Sequence, residues 1–468
     1  MNLTNLLDYS NSIYNFNKEI NSIERKNKNA DTEPSTAIKM LICGIFTKAN
    51  SINAIENAIF NSYSNRFSNI FSGKEFIPRT HALRDCINDI DYKDVSKIHF
   101  NILNKLKENK FFDNHDYRGS RVMIADGVEA FETHKKIEGL HVRNHKNDTT
   151  GYYYKSLGLM YLTEDVDIMI DLVPFETSEV EDDKEHNDKV KSEGEITVLK
   201  RLLPTLKDYK IDITVLDCMF LNAPCFSTAK ENNIDVIVKL TDTRRNLYKD
   251  ASLLFKTTKP KLEYEVVEVI ETTKTKYSKE SKKKNTTKTD KYIITRAISD
   301  AKINEKIVTL DKETVHPKKI VSKKITYKVI KKVKVWSDNF EMTNYGEVRV
   351  IKVEENSGNE TKEMYIVTTL LDEDLEFIVD LMHKRWDIEL KGFRKLKTRY
   401  NMDHLYIGTD NAIRLITYLI MIVYNLIELY FNIHTRKYRH SINYDNLLEE
   451  YKIEIAKTKN FYEYFLVI

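Results

Sequence analysis

The stretches RVMIADG (121–127) and IDITVLDCMF (211–220) decide the fold class of this chain. Each is a short apolar run with an aspartate where the run ends, which is typical of a buried strand and its exit. The segments that surround them alternate between the apolar spacing that is typical of strands and the spacing that is typical of helices. The resulting order, β-β-β-α-β-α-β over residues 116–240, predicts a mixed α/β sheet that is covered by helices.

Changes in composition and in apolar periodicity divide the chain into six predicted segments. The N-terminal residues are rich in asparagine and predict a mobile or loosely packed arm, whereas β-branched residues that alternate with lysine predict a β-rich insertion. A long helix is predicted from about Asp374 to Tyr400. In order, the segments are a polar arm (1–33), a helical domain (34–115), the first part of the α/β core (116–240), the β-rich insertion (241–365), the second part of the core with the long helix (366–410) and a helical C-terminal region (411–468).

The composition allows a large core and leaves a nucleic-acid partner open. The 468 residues are 41% hydrophobic, and the formal net charge is +3. Because phosphate binding depends on local clusters of charge, near-neutrality does not exclude DNA. Residues 271–335 form such a cluster, with 20 Lys and Arg against 7 Asp and Glu. The absence of GxxxxGK[ST], HExxH and GxSxG motifs argues against P-loop ATPases, zincin proteases and nucleophile-elbow hydrolases.

Two features concern the cell compartment. The four cysteines form no CxxC pair, which predicts a reduced, intracellular protein. The most apolar stretch, 412–431, is long enough to span a bilayer, but Arg414, Asn425 and Glu428 interrupt it. Because charge at membrane depth is costly, we predict a buried core helix there.

Three acidic residues stand out by position. Asp126 and Asp217 end two apolar runs, and Glu389 lies in a basic helical segment. A buried carboxylate must be capped, paired or used, because removing its charge from water is costly. Three carboxylates from two strands and a helix suit Mg²⁺, which prefers oxygen ligands. Taken singly, each has an ordinary alternative: a turn at Asp126, a strand-end cap at Asp217 and a solvated helix face at Glu389.

Three blocks of the sequence resemble the catalytic blocks of DDE-type insertion-sequence transposases with a Tyr-Arg-Glu-Lys signature. The blocks are VMIADGVEAFE (122–132), ITVLDCMFLNAPCF (213–226) and HKRWDIELKGFRKLKTRYNMDHLY (383–406). The resemblance implies an RNase H-like mixed sheet and a β-rich insertion before the last acid. It also implies that Asp126, Asp217 and Glu389 are the catalytic, metal-binding triad, with two Mg²⁺ or Mn²⁺ ions as cofactors.

The signature helix implies further residues that contact DNA. Arg385 lies four residues before Glu389 on the same helical face, where its guanidinium suits the phosphate that the metal ions address. The signature tyrosine falls on Met382, so that a phenol hydroxyl that would contact the DNA backbone is missing.

The signature lysine falls on Leu396, which two lysines flank. With about 100° per residue, Lys397 lies about 80° and Lys395 about 120° from the face of Glu389, so Lys397 is the better substitute. The alternative is that both lysines only solvate the helix.

Three residues further from the signature are also candidates for DNA contact. Arg244 and Arg245 follow the last strand of the core, with a solvated turn as the alternative. Trp336 lies in the insertion, and the resemblance implies that it holds a flipped base by stacking. Its alternative is a core position in the insertion. Trp386, the only other tryptophan, is predicted to pack its helix against the sheet.

The resemblance therefore implies a DNA transposase that excises its own element and inserts it into target DNA. The helical domain, with IPRTHALRDCI (77–87) on its recognition helix, would bind the terminal inverted repeats. Two protomers would pair the two ends as a homodimer on double-stranded DNA, in the cytoplasm of a prokaryotic cell at the nucleoid and without a membrane partner.

Two other functions stay open. The chain is alternatively a decayed or domesticated copy that regulates by binding DNA, which the three intact acids argue against and Met382 favours. A plain RNase H-like nuclease without strand transfer is the third reading, and the long insertion argues against it.

Overall fold

The computed structural model describes residues 3–46, 48–61, 78–146, 149–180, 189–277, 284–295, 319–358 and 360–435. The chain forms two compact units. The first unit consists of residues 1–236 and 384–468, and the second unit consists of residues 237–383.

The N-terminal part of the first unit is helical, as the three- and four-residue spacing of its apolar residues predicts. Aspartate and lysine support the longest of these helices, since Asp91 caps its N-terminus by accepting a bond from Lys93 N, and Lys105 and Lys107 lie in its last turn. The helices are α1 (Leu3–Tyr14), α2 (Phe16–Asn21), α3 (Pro34–Phe46), α4 (Ile52–Asn61), α5 (Thr80–Asp89), α6 (Tyr92–Glu108) and α7 (Phe111–Asn114).

The prediction of a loosely packed arm over residues 1–33 is wrong for its first helices. Leu6, Tyr14, Phe16 and Ile20 are buried, and α1 packs against α6. The apolar residues of this segment are few, but they recur at helical spacing, so that they form one face that the neighbouring helices cover. Because most residues of the segment are polar, this apolar face is difficult to recognise from the composition.

The sheet of the first unit is mixed, with the strand order β7-β1-β3-β2 and with β4 also paired to β3. Strand β3 pairs antiparallel with β1, β2 and β4, whereas β1 and β7 run parallel. The strands are β1 (Val122–Thr133), β2 (His141–Asn144), β3 (Thr150–Leu162), β4 (Ile168–Pro174) and β7 (Ile213–Leu216), and a separate pair consists of β5 (Thr177–Val180) and β6 (Lys189–Ser192). This mixed sheet with its helices confirms the predicted fold class, an α/β fold of the RNase H-like type.

Helices cover this sheet. Those that follow the sheet strands are α8 (Glu195–Leu202), a 3₁₀ segment (Leu203–Tyr209), a 3₁₀ turn (Cys218–Phe220), α9 (Ala223–Glu231), α12 (Arg394–Tyr400), α13 (Asp410–Leu429) and a π-helical end (Tyr430–His434). Only Asp410–His434, among the described residues, is long and apolar enough to cross a membrane, and its apolar window is fully buried within the protein. This confirms the prediction of a core helix. The predicted helical region beyond residue 435 lies outside the described residues.

Two buried side chains satisfy the backbone of β4 where its pairing with β3 shifts register. The amide of Asn425 on α13 accepts a bond from Met169 N (2.9 Å) and donates one to Met169 O (2.7 Å). His99 Nε2 on α6 lies 2.8 Å from Ile170 O. Because unpaired buried backbone groups are costly, these two side chains hold the sheet edge to the helical layer.

The second unit contains an antiparallel sheet in the order β10-β9-β11-β12-β13-β8. Its elements are β8 (Asp235–Leu240), α10 (Asn246–Thr257), β9 (Leu262–Tyr277), β10 (Lys284–Thr295), β11 (Lys319–Met342), β12 (Gly346–Ser357), β13 (Glu360–Thr368) and α11 (Leu375–Lys384). His383 Nε2 and Lys331 Nζ lie 2.9 Å and 2.8 Å from the carboxylate of Glu355. These partners outweigh the effect of burial and hold the pKa of Glu355 at about 2.

We predict that Asn425→Leu lowers the free energy of unfolding by about 2–4 kcal/mol, because it leaves two buried backbone groups of Met169 without partners. Urea denaturation measures the change. The matched control is Thr417→Val on the same helix, whose hydroxyl bonds only within the helix, to Ile413 O. Equal losses in the two variants would contradict the role of Asn425.

We predict that protein stability falls as the pH drops from about 6.5 to about 4, in part through His99. Full burial lowers the pKa of His99 to about 4, and its Nδ1 has no hydrogen-bond partner among the residues that the structure describes. Above pH 6.5 the ring is neutral in both states; below it the unfolded chain binds a proton that the folded chain excludes, which costs up to about 3 kcal/mol. His99→Gln should flatten the pH profile of the unfolding free energy in this window, and an unchanged slope would refute the assignment.

Candidate active site

Strand pairing brings the first two candidate acids side by side. In the parallel pair of β1 and β7, the last matched residues are Ala125 and Leu216. Asp126 and Asp217 are the next residues on each strand, so both side chains start from the same edge of the sheet. β1 continues along β3, where Asp126 lies opposite Gly158. The prediction that Asp126 ends its strand is wrong, because β1 continues to Thr133, whereas Asp217 does follow the end of β7.

The third acid lies in a π-helical turn, Ile388–Phe393, which interrupts the predicted helix between α11 and α12. The turn is held from two sides. Lys391 Nζ lies 2.9 Å from Asp387 Oδ2 and 3.0 Å from Asp167 Oδ2, and Tyr424 donates a hydrogen bond to Lys391 O (3.2 Å). Such turns are rare within α-helices and occur often at functional sites.

Two glycines let the π-helical turn approach the sheet. A Cβ added at Gly158 would overlap the ring of Phe393, and one added at Gly392 would lie 3.3 Å from Met169 Sδ. Since Gly158 lies directly opposite Asp126, the ring of Phe393 occupies the space beside that acid. The missing side chain therefore fixes how closely the Glu389 turn lies to Asp126.

Arg385 joins the three carboxylates. Its Nη1 donates to Asp126 Oδ2 at 2.9 Å and lies 3.6 Å from Glu389 Oε1, while Nη2 lies 3.8 Å from Asp217 Oδ1. The Arg385 side chain is only 6% exposed, whereas that of Glu389 is 42% exposed. The guanidinium thus forms the inner wall of the site, and the acids form its opening.

The electrostatics of the site are strongly anionic. Three carboxylates face one guanidinium, which leaves an excess of two negative charges if all are ionised. Burial raises the pKa of Asp126 to about 6, although Arg385 and the Gly127 N–H act in the opposite direction. At neutral pH Asp126 is therefore still mostly ionised, and a bound cation would relieve the repulsion.

A cavity of about 460 Å³ opens at this point. It is lined by the three acids, by Arg385 and by residues of β1 and α12. The lining residues are Asp126, Gly127, Val128, Glu129, Asp217, Arg385, Glu389, Phe393, Arg394, Lys397 and Thr398. Acidic and basic side chains that line one cavity suit a divalent cation together with a phosphate group.

The donor set fits Mg²⁺ or Mn²⁺, since carboxylate oxygens are the ligands that these ions prefer. In the present arrangement the acids turn toward Arg385 rather than toward a common point. Accordingly, no group of three His, Cys, Asp or Glu side chains in the described ranges is arranged to hold a metal ion. Metal binding would require Arg385 to give up at least part of these contacts.

Residues 188–426 match the family described as Transposase DDE domain, and the match spans just over half of the chain. The chain belongs to this family of DDE transposases. The matched range includes Asp217, Arg385 and Glu389, whereas Asp126 precedes it. No curated protein matches the sequence at a significant level.

The two lysines beside Leu396 have different surroundings in this transposase. Lys397 lines the cavity with the acids. Lys395 instead points to α13, where its Nζ lies 2.6 Å from Oε1 of the buried Glu428. Because this ion pair neutralises the charge of Lys395 inside the protein, Lys397 is the one of these two lysines that lies at the candidate site.

The other predicted DNA contacts lie in the second unit. Arg244 is exposed and pairs with Asp242 (3.0 Å), and Arg245 precedes the first residue of α10. Trp336 is buried, and its indole N–H donates to Thr258 O at 3.0 Å. This environment favours the core alternative for Trp336, because a residue that is only 8% exposed offers little surface on which an extruded base could stack.

The prediction that Trp386 packs its helix against the sheet is wrong. Its side chain is 51% exposed, and its ring lies 5.3 Å from the guanidinium carbon of Arg385. Arg394 and Thr398 were missed as lining residues. They lie one helical turn apart on α12. The sequence alone does not show that this face of α12 meets the cavity, because the π-helical turn sets the orientation of α12.

We predict that Gly158→Ala displaces Phe393 and costs about 1–3 kcal/mol of stability, because the added methyl group overlaps the ring. Adding Phe393→Leu should recover part of the loss, since a smaller side chain leaves room. Calorimetric melting of the wild type, the two single variants and the double variant measures the coupling energy between positions 158 and 393. The control is Gly194→Ala, where the nearest atom lies 4.0 Å from the added Cβ. Strict additivity of the two changes would contradict the contact.

Proposed function

We propose that this transposase cleaves DNA at the ends of its element and joins the freed ends to target DNA by cut-and-paste transposition. Asp126, Asp217 and Glu389 would hold two divalent ions, Mg²⁺ or Mn²⁺. The observation that supports this most is the meeting of three carboxylates from three separate elements in one open cavity with Arg385. A purely structural ion pair does not require three acids around one base.

The proposed reaction needs no covalent bond to the protein. A water oxygen attacks the phosphorus at the element end, the bond from phosphorus to O3′ breaks, and the 3′-oxygen leaves with a proton as a hydroxyl. That 3′-hydroxyl then attacks a phosphodiester of the opposite strand and expels the 3′-oxygen of that bond, which closes the element end as a hairpin. A second water opens the hairpin and restores the 3′-hydroxyl, which attacks a phosphodiester of the target and again expels a 3′-oxygen. Bound divalent ions supply the activation of the nucleophile and the stabilisation of the leaving oxygen.

The basic residues of the cavity would position the scissile phosphate. Arg385 offers a planar fork of N–H donors, and Lys397 and Arg394 add charge on the outer wall. An anionic triad alone would repel DNA, so these bases hold the phosphate next to the acids. Arg244 and Arg245, exposed features of the second unit, would add contacts to the DNA backbone.

The element ends would be recognised by the N-terminal helical layer. Helix α5 (Thr80–Asp89) carries the sequence predicted as a recognition helix, and His81 on it is exposed. Two element ends must be joined in one event, so we propose a homodimer on double-stranded DNA. The substrate places the proposed activity at the nucleoid, in the cytoplasm of a prokaryotic cell.

We predict that Asp126→Asn abolishes cleavage of element-end DNA in Mg²⁺ or Mn²⁺ and leaves binding to that DNA intact. The amide keeps the shape of the side chain but loses the charge that a divalent ion needs. The matched control is Glu129→Gln on the wall of the same cavity, since Glu129 pairs with Arg143 at 2.7 Å and lies apart from Arg385. A nicking assay and a gel-shift assay on the full chain measure both properties.

Two outcomes would overturn the proposal. Wild-type cleavage by Asp126→Asn would remove the triad from the reaction. A wild-type protein that binds element ends but does not cut them in either metal ion would instead identify the regulator that the sequence left open.

A further inference from the structure

Arg385 occupies the position that a cation would take among the three acids. Its two Nη atoms lie 2.9 Å, 3.6 Å and 3.8 Å from oxygens of Asp126, Glu389 and Asp217. The Arg385 side chain is only 6% exposed, so its guanidinium is enclosed by the protein next to the acids. A divalent cation cannot bind the same oxygens while this positive charge lies between them.

The hydrogen bonds of Arg385 are incomplete in this position. Within the described part of the chain, only the contact with Asp126 has the length of a hydrogen bond, and the buried Nε has no hydrogen-bond partner. A guanidinium donates best as a planar fork to two oxygens of one phosphate or carboxylate. The three acids thus hold Arg385 by charge but leave part of its donor capacity unused.

The surroundings offer the guanidinium other partners. The exposed ring of Trp386 lies 5.3 Å from the guanidinium carbon. Arg394 and Lys397 line the same cavity and attract an anion to it. A DNA phosphate bound there would offer Arg385 the bidentate acceptor that the acids do not provide.

We propose that Arg385 acts as an internal counter-ion that keeps divalent ions out of the triad until a DNA phosphate draws the guanidinium away. Binding of DNA and binding of metal are then positively coupled through one side chain. By linkage, DNA strengthens metal binding by the same factor as metal strengthens DNA binding. This inference rests on the proposed function and adds to it a reason why the protein would not be loaded for cleavage in the absence of DNA.

The test is a titration of the full chain with Mn²⁺ without DNA, with the free ion measured by electron paramagnetic resonance. The triad-specific part is the binding that Asp217→Asn removes. Arg385→Gln should bind Mn²⁺ at this site about tenfold or more tightly than the wild type, and Arg385→Lys should fall between them. Mn²⁺ should also raise the melting temperature of Arg385→Gln more than that of the wild type, which shows at the same time that the variant is folded.

The matched control is Arg394→Gln. Arg394 lines the same cavity and, among the described residues, forms no ion pair with the three acids, so its loss changes the net charge of the wall by the same amount. We expect at most a small change in Mn²⁺ affinity. An equal gain in Arg394→Gln and Arg385→Gln would refute the counter-ion contact, as would equal Mn²⁺ affinity of Arg385→Gln and the wild type.

Coupling is measured with a duplex that ends at the cleaved element end. This DNA should tighten Mn²⁺ binding in the wild type and do so much less in Arg385→Gln, because the variant has no guanidinium to displace. Undiminished coupling in the variant would refute the inference even if the protein cleaves DNA as proposed. Failure of the proposed function itself would appear differently, as no Mn²⁺ binding at Asp217 in any variant with or without DNA.

Discussion

The charges in the cavity do not balance, and the remainder of the site is arranged around that fact. Asp126, Asp217 and Glu389 face a single buried guanidinium, Arg385, in a space where water screens charge only partly. Burial raises the pKa of Asp126, and the charges of Asp217 and Glu389 act in the same direction. The excess of acid also makes the site attractive to cations. The bases on the outer wall, Arg394 and Lys397, keep the opening suitable for an anion.

Such an arrangement needs rigid support, because like charges held close together push the elements apart. The parallel pairing of β1 with β7 fixes two of the acids through backbone hydrogen bonds. The third is fixed by contact: Phe393 lies over Gly158, and Lys391 bonds to Asp387 and Asp167 on either side of the turn. Asn425 and His99 then hold the β4 edge of the same sheet to the helices. These core contacts therefore stabilise the positions of the three acids at the cavity.

The sequence predicted the parts of this arrangement that follow from periodicity. The apolar runs before Asp126 and Asp217 indicate two buried strands, and the parallel pairing of these strands brings the two acids together, although β1 continues past Asp126 to Thr133. The sequence could not predict Gly158 as the contact of Phe393, because the partners are far apart in the chain and a glycine carries no pattern. Likewise, Trp386 is exposed although its place in the signature helix favoured packing against the sheet, because burial of a single aromatic residue depends on its tertiary neighbours.

The π-helical turn also explains why Lys397 rather than Leu396 lines the cavity. In a continuous α-helix, the seventh residue after Glu389 returns to nearly the same face, and that residue is Leu396. A π-turn closes with bonds to the fifth rather than the fourth residue, so it absorbs one extra residue. The eighth residue, Lys397, then takes the face that the seventh would have had, and Leu396 turns into the core, where it is fully buried. The widened turn therefore brings Lys397, eight residues after Glu389, to the cavity that Glu389 lines.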